Sequence, residues 1–107
     1  MKHLKEIAES IYSELNASYD HADIAANPGF KSHIDTLEER PDLSTLIVEY
    51  HEDGQSINVY ATTLNLNEVI EIAGIAAARP PVKDVPFIAA QTTPNGTAYL
   101  HILIEFE

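Results

Sequence analysis

The sequence predicts an α+β fold, a two-layer sandwich in which an antiparallel four-stranded sheet made of two hairpins carries helices on one face, in the order ααββαββ. Three features carry that expectation. The first residues repeat apolar side chains at helical spacing. "TLIVEYH" and "SINVYATT" flank the turn-forming "EDGQ". "VPFIAAQ" and "TAYLHILIEFE" flank "TPNG".

From His3 to Asn16 the apolar positions are Leu4, Ile7, Ala8, Ile11, Tyr12 and Leu15, one stripe of an amphipathic helix, with Lys5, Glu6, Glu9, Ser13 and Glu14 opposite. "NASYDHADIAANPG" breaks the pattern and ends in a turn signal. A second helix can start at Asn27 as N-cap with Pro28 in its first turn, bury Phe30, Ile34 and Leu37, and stop at Pro41; an ordered loop with one or two helical turns is the rival.

The first hairpin is specified more tightly. A type I′ turn on Asp53-Gly54 pairs Tyr50 with Ile57, Val48 with Val59 and Leu46 with Ala61 on one face. The other face then receives His51 with Ser56, Glu49 with Asn58 and Ile47 with Tyr60. A slip of one residue would invert both faces, so a register that satisfies every pair is informative.

A third helix is expected from about Leu66 to Ala78, capped by Asn65 or Asn67, with Glu68 and Glu71 at its positive end and Arg79 at the other. Val69, Ile72, Ala73 and Ala76 form its inner stripe. In the last hairpin Pro94 and Asn95 suit a tight turn and Gly96 supplies a left-handed residue. Leu100, Ile102, Ile104 and Phe106 are expected to meet Phe87 and Ala89 in the core. Ile47, Tyr60, Ile88, Tyr99 and Leu103 are left on the outer face. That face is too apolar for open exposure, so either the first helix or another protein surface is expected to cover part of it.

A chain of 107 residues supports one domain, 1–107, with a core of its own. There is no cysteine, which removes disulfides, zinc-thiolate sites and thiol catalysis and fits a reducing, cytoplasmic location. "MKHLKEIAESIYSEL" interrupts its apolar residues with charge and so does not resemble a signal peptide, and "IAGIAAA" is far too short to span a bilayer. A soluble protein is expected.

Charge is the anomaly. Seventeen acids face six bases, a formal net charge of −11, and no run of five like charges occurs. Such a field repels nucleic acid and anionic membranes and favours basic partners. Direct nucleic-acid binding is not expected, because the bases are scattered and lack an aromatic–basic platform.

Motif chemistry is sparse. The five histidines show no HExxH, HxH or calcium-loop spacing, so no metal or other cofactor is expected; the one conceivable metal group would need His51 and His101 to be neighbours. Asp20, His21 and Asp23 in "YDHAD", and "HED" at His51, offer acid–base pairs. No nucleophile elbow, Walker loop or dinucleotide glycine pattern accompanies them, so no catalytic residue is assigned.

Surface recognition remains. The leading expectation is a small, acidic, non-catalytic binding protein that inhibits or masks a basic, nucleic-acid-binding partner by electrostatic occlusion. Immunity proteins, phage-encoded inhibitors of host nucleases or defence systems, and DNA mimics work this way. The expected contacts are Glu38, Glu39 and Asp42 after the second helix, then Glu49, Glu52 and Asp53 at the hairpin. Tyr60 and Tyr99 would be aromatic anchors, and Glu9, Glu14, Asp20 and Asp23 would extend the acidic surface. The alternative is a housekeeping homo-oligomer, a dimer through the outer sheet face, with a small-ligand pocket between sheet and helices.

Overall fold

The first amphipathic stripe forms the helix it predicts, α1 (Leu4–Leu15), burying Leu4, Ile7, Ala8, Ile11 and Leu15. A 3₁₀ turn, Asn16–Ser18, ends it, closed by the Tyr19 N–H on Asn16 O at 3.2 Å. The structure, a computed structural model, describes residues 4–26, 33–63, 65–77 and 86–107.

The first departure from expectation follows directly. "HADIAA", within the stretch expected only to break the helical pattern, is a strand, β1 (His21–Ala26), and it pairs in parallel with β2 (Thr45–His51) from His21 opposite Thr45 to Ala26 opposite Tyr50. Its composition hides it, because alanines and an aspartate are poor strand formers in isolation. Asp20 fastens its entry: the carboxylate accepts from Ser44 N–H at 3.3 Å and Ser44 Oγ at 3.0 Å, while the His21 N–H donates to Ser44 O at 3.1 Å. Two parallel strands need a crossover, which here contains α2 (His33–Glu39). That helix ends before Pro41 as expected; the expected start at Asn27, Pro28 and Phe30 lies outside the described residues.

β3 (Ser56–Ala61) pairs with β2 in the predicted register, all six pairs included. The turn between them is different. Neither Asp53 nor Gly54 has positive φ; Gln55 does, at 51°, which excludes type I′. The loop is a four-residue one closed by Gln55 N–H on Glu52 O at 3.3 Å, and the Gln55 side chain donates to the same carbonyl at 2.6 Å.

α3 (Leu66–Ala77) begins with a capping box that leaves two terminal amides satisfied. Asn65 Oδ1 accepts the Glu68 N–H at 3.0 Å, and Glu68 Oε1 accepts the Asn65 N–H at 3.1 Å. Asn65→Ala is therefore expected to cost about 1 kcal/mol, read as a lower urea midpoint with an unchanged m-value. Ile72 is buried beneath α3 and Val69 packs beside it; the side chains of Ala73 and Ala76, and everything expected of Ala78 and Arg79, fall outside the described residues.

The last hairpin, β4 (Phe87–Thr92) and β5 (Ala98–Glu105), turns at Thr93–Gly96, where Gly96 has φ 90° and its N–H donates to Thr93 O at 2.9 Å. Its register moves three residues from their expected faces. Phe87 lies opposite Leu103 and Ala89 opposite His101, on the outer face, whereas Ile88 lies opposite Ile102 on the inner one. Alternation alone fixes the period of a strand and leaves its phase against a neighbour open.

The sheet is thus five-stranded and mixed, ordered β1-β2-β3-β5-β4, where an antiparallel sheet of four strands was expected. Its inner face packs Leu46, Val48, Ile57, Val59, Ile102 and Ile104 against the buried stripe of α1 and Ile72 of α3. The outer face has a smaller core, Leu37 of α2 over Ile47, Tyr60 and Tyr99. Helices therefore lie on both faces, and the cover over the outer face is α2, where α1 or another protein was expected. No helix among the described residues is long and apolar enough to cross a membrane.

Candidate functional site

The strand period places Ile47 and Glu49 of β2, Asn58 and Tyr60 of β3, and Tyr99 and His101 of β5 on the outer face. α2 lowers His33 onto them. Its ring stacks on Tyr60 at 3.7 Å between centroids and 5° between planes, and His33 Nε2 lies 3.3 Å from the Tyr99 hydroxyl. Tyr60 stacks in turn near His101 at 4.6 Å and 20°, and Phe87 meets His101 edge-on at 6.2 Å. His101 Nε2 is 2.7 Å from Asn58 Oδ1, a bond in which a protonated Nε2 donates. Burial holds both imidazoles below their ordinary pKa, and the proximity of His101 adds to the effect on His33.

Glu49 is the unusual group, a carboxylate only 5% exposed. Its Oε1 is 3.5 Å from His51 Nε2, and the Tyr60 hydroxyl donates to the carboxylate. Burial pushes its pKa up against the opposing pull of His51 and of that hydrogen bond. Burial and the neighbouring Glu49 charge likewise push the Tyr60 hydroxyl up.

Between α2 and the outer edge of the sheet lies a cleft of about 230 Å³, lined chiefly by His21, Asp23, His33, Glu39, Arg40 and Glu49. His21 Nε2 sits 3.4 Å from Asp23 Oδ2. With three carboxylates, one guanidinium and two imidazoles, the cleft suits a small cationic or zwitterionic group. Among the described residues no three His, Asp or Glu side chains are grouped as metal ligands. His51 and His101 are not the neighbours that a metal pair would need: His51 reaches Glu49, and His101 reaches Asn58 and Tyr60.

The residues expected to meet a partner divide into four groups. Glu49, Tyr60 and Tyr99 are buried beneath α2, so the aromatic pair seats the helix and has no open surface to offer. At one end of the sheet lie Asp20, Glu38, Glu39 and Asp42. There Asp20 is bound to Ser44, and Glu38 Oε2 accepts the Asn95 N–H at 3.0 Å. Glu52 and Asp53 are exposed at the other end. Six strand steps separate the two ends, about 20 Å. Glu9 and Glu14 are exposed on α1 and Asp23 on β1.

Two further acids join the hairpin end. Glu105 lies opposite Ser56, and Phe106 N–H donates to Gln55 O at 2.8 Å, so Glu105 and Glu107 flank the β2–β3 turn. Among the described residues the side chains of Glu52, Asp53, Glu105 and Glu107 have no hydrogen-bond or ion-pair partner. Finding that quartet from sequence requires knowing that β5 is the neighbour of β3; finding His33 requires knowing that α2 crosses the outer face. No protein-family model matches the sequence, and no curated protein does.

Proposed function

We propose that this is a small, non-catalytic binding protein that occludes a basic, nucleic-acid-binding partner, with the hairpin end of the sheet as the contact. The observation that supports the reading is the state of the carboxylates. Thirteen are exposed, against two basic residues, Lys5 and Arg40, among the described residues. Those at the Ser44 end are partly used in internal hydrogen bonds, whereas Glu52, Asp53, Glu105 and Glu107 have no partner among the described residues and sit on a braced turn. Carboxylates with no internal partner break no bond on meeting lysine and arginine, and their charge speeds encounter at low salt. An immunity protein, a phage-encoded inhibitor of a host nuclease or defence system, and a DNA mimic all fit this mechanism.

The test is capture from the lysate of the source organism, or of its host for a viral gene. A 1:1 basic partner is expected that competes with nucleic acid and is released near 1 M salt, where the screening length falls to about 3 Å. Neutralising the quartet (Glu52→Gln, Asp53→Asn, Glu105→Gln, Glu107→Gln) is expected to weaken capture about 100-fold or more, as for the loss of several interfacial charges. Glu9→Gln with Glu14→Gln is expected to leave it within a few-fold. Equal loss in both variants would reduce the contact to net charge alone.

The cleft beneath α2 favours a second reading, a housekeeping protein that holds a small ligand there. It predicts that capture survives neutralisation of the quartet and that a small amine or amino acid perturbs the His33 and Tyr60 resonances.

A further inference from the structure

β4 forms one edge of the sheet, with no strand beyond it among the described residues. It also breaks the character of the chain. In a protein of net charge −11 the six residues FIAAQT carry no charge, and Phe87 and Ile88 are 55% and 50% exposed. Natural edge strands are usually blunted by charge, by a bulge or by cover, because a bare one pairs with other strands. Among the described residues only Pro86, just before the strand, acts in that way.

Two hydrogen bonds fix which backbone groups point outward. Thr93 N–H donates to Thr97 O, making that pair a hydrogen-bonded one, so pairing alternates back along β4. Ala89 and Gln91 then bond to β5, whereas Ile88, Ala90 and Thr92 turn their N–H and C=O groups to the free edge. The opposite side of β5 agrees. Phe106 N–H to Gln55 O puts Leu100, Ile102 and Ile104 in the hydrogen-bonded pairs with β3, leaving Tyr99 and His101 to bond β4.

We propose that a second copy of this chain adds to the β4 edge, giving a two-fold dimer with one continuous ten-stranded sheet. Only a register centred on Ala90 satisfies the outward groups while keeping inner face with inner face. Ala90 then faces Ala90 of the second copy, and Ile88 faces Thr92 on either side, with two bonds exchanged in each pair. Alanine at the axis presents only a methyl group, too small to clash. Two chains of charge −11 repel over most approaches, and an uncharged strand is where that repulsion is least. A basic partner would gain nothing from a neutral strand, which is why the occupant is a second copy.

The test uses the purified full chain, so its outcome does not depend on the proposed partner. Light scattering at about 100 µM is expected to give twice 11.8 kDa, with the dimer strengthened by salt because the repulsion is screened. Ala90→Cys introduces the only thiol into a cysteine-free chain. Across the axis the Cα atoms would be about 5.5 Å apart, within disulfide reach. It is expected to cross-link about tenfold or more faster than Ser13→Cys on exposed α1, since pairing raises the local thiol concentration. Ala90→Pro removes an outward N–H without breaking a β4–β5 bond, and is expected to give a folded monomer. A single-chain mass at every salt concentration overturns the proposal. So does a dimer that survives Ala90→Pro while Ala90→Cys reacts no faster than Ser13→Cys.

Discussion

Tyr60→Ala is expected to lower stability by about 3–5 kcal/mol, the cost of deleting a buried aromatic ring. Tyr60 is 6% exposed and is the common neighbour of His33, His101 and Tyr99. Without it α2 loses its stacking surface, and seven residues do not hold a helix unaided. Glu49 would also lose a donor while still buried. A domain of this size has about 5–15 kcal/mol in all, so the variant should be only marginally folded. Tyr60→Phe separates the two contributions. It keeps the ring and removes the bond to Glu49, for an expected cost of about 1–3 kcal/mol. Urea titration of both variants measures the difference; equal midpoints would mean that ring packing does not hold α2 in place.

What could be read from the sequence was whatever depends on neighbours a few residues away. The β2–β3 register was legible because two alternating runs flank one short loop, and only one alignment puts Leu46, Val48 and Tyr50 on the same face as Ile57, Val59 and Ala61. α1 was legible from its stripe, and the Gly96 turn from a single residue type. β1 was not, because its partner is 24 residues away and parallel, so no turn marks it and its alanines resemble a loop. The turn type was also missed: positive φ falls on Gln55, where Asp53-Gly54 offered the more familiar signal.

The site shows the same division. Tyr60 and Tyr99 were placed on the correct face, but their exposure depended on where the chain between β1 and β2 crosses. Once β1 is parallel to β2, that crossover has to pass over one face, and Leu37 and His33 bring it down on the tyrosines. The acids divide for a related reason. Glu38 and Glu52 are 14 residues apart in sequence yet sit at opposite ends of β2, while Glu105 joins Glu52 through the pairing of β3 with β5. Charge could be counted from composition; its grouping follows from strand order.

Mild acid is expected to loosen α2. His33 and His101 have folded pKa values below the ordinary 6.5, so the unfolded chain binds protons first as pH falls. The stability they contribute is complete above about pH 6.5 and is lost as pH falls towards their lowered values. His33 faces Tyr60 from β3, Tyr99 and His101 from β5, Glu49 from β2, and His21 and Asp23 from β1, with Glu39 on its own helix and Arg40 just after it. Glu49 works in the opposite direction. Its folded pKa is raised above 4.5, so between those two values the folded state binds the extra proton and its contribution improves as pH falls. Thermal unfolding is therefore expected to show a decline below about pH 6.5 that Glu49 offsets nearer its own titration. His33→Gln with His101→Gln should flatten the upper limb, and Glu49→Gln should remove the offset and deepen the loss at lower pH. A wild-type profile that stays level from pH 7 to pH 5, or one whose slope survives the histidine pair, would show that these rings titrate alike in the folded and unfolded chain.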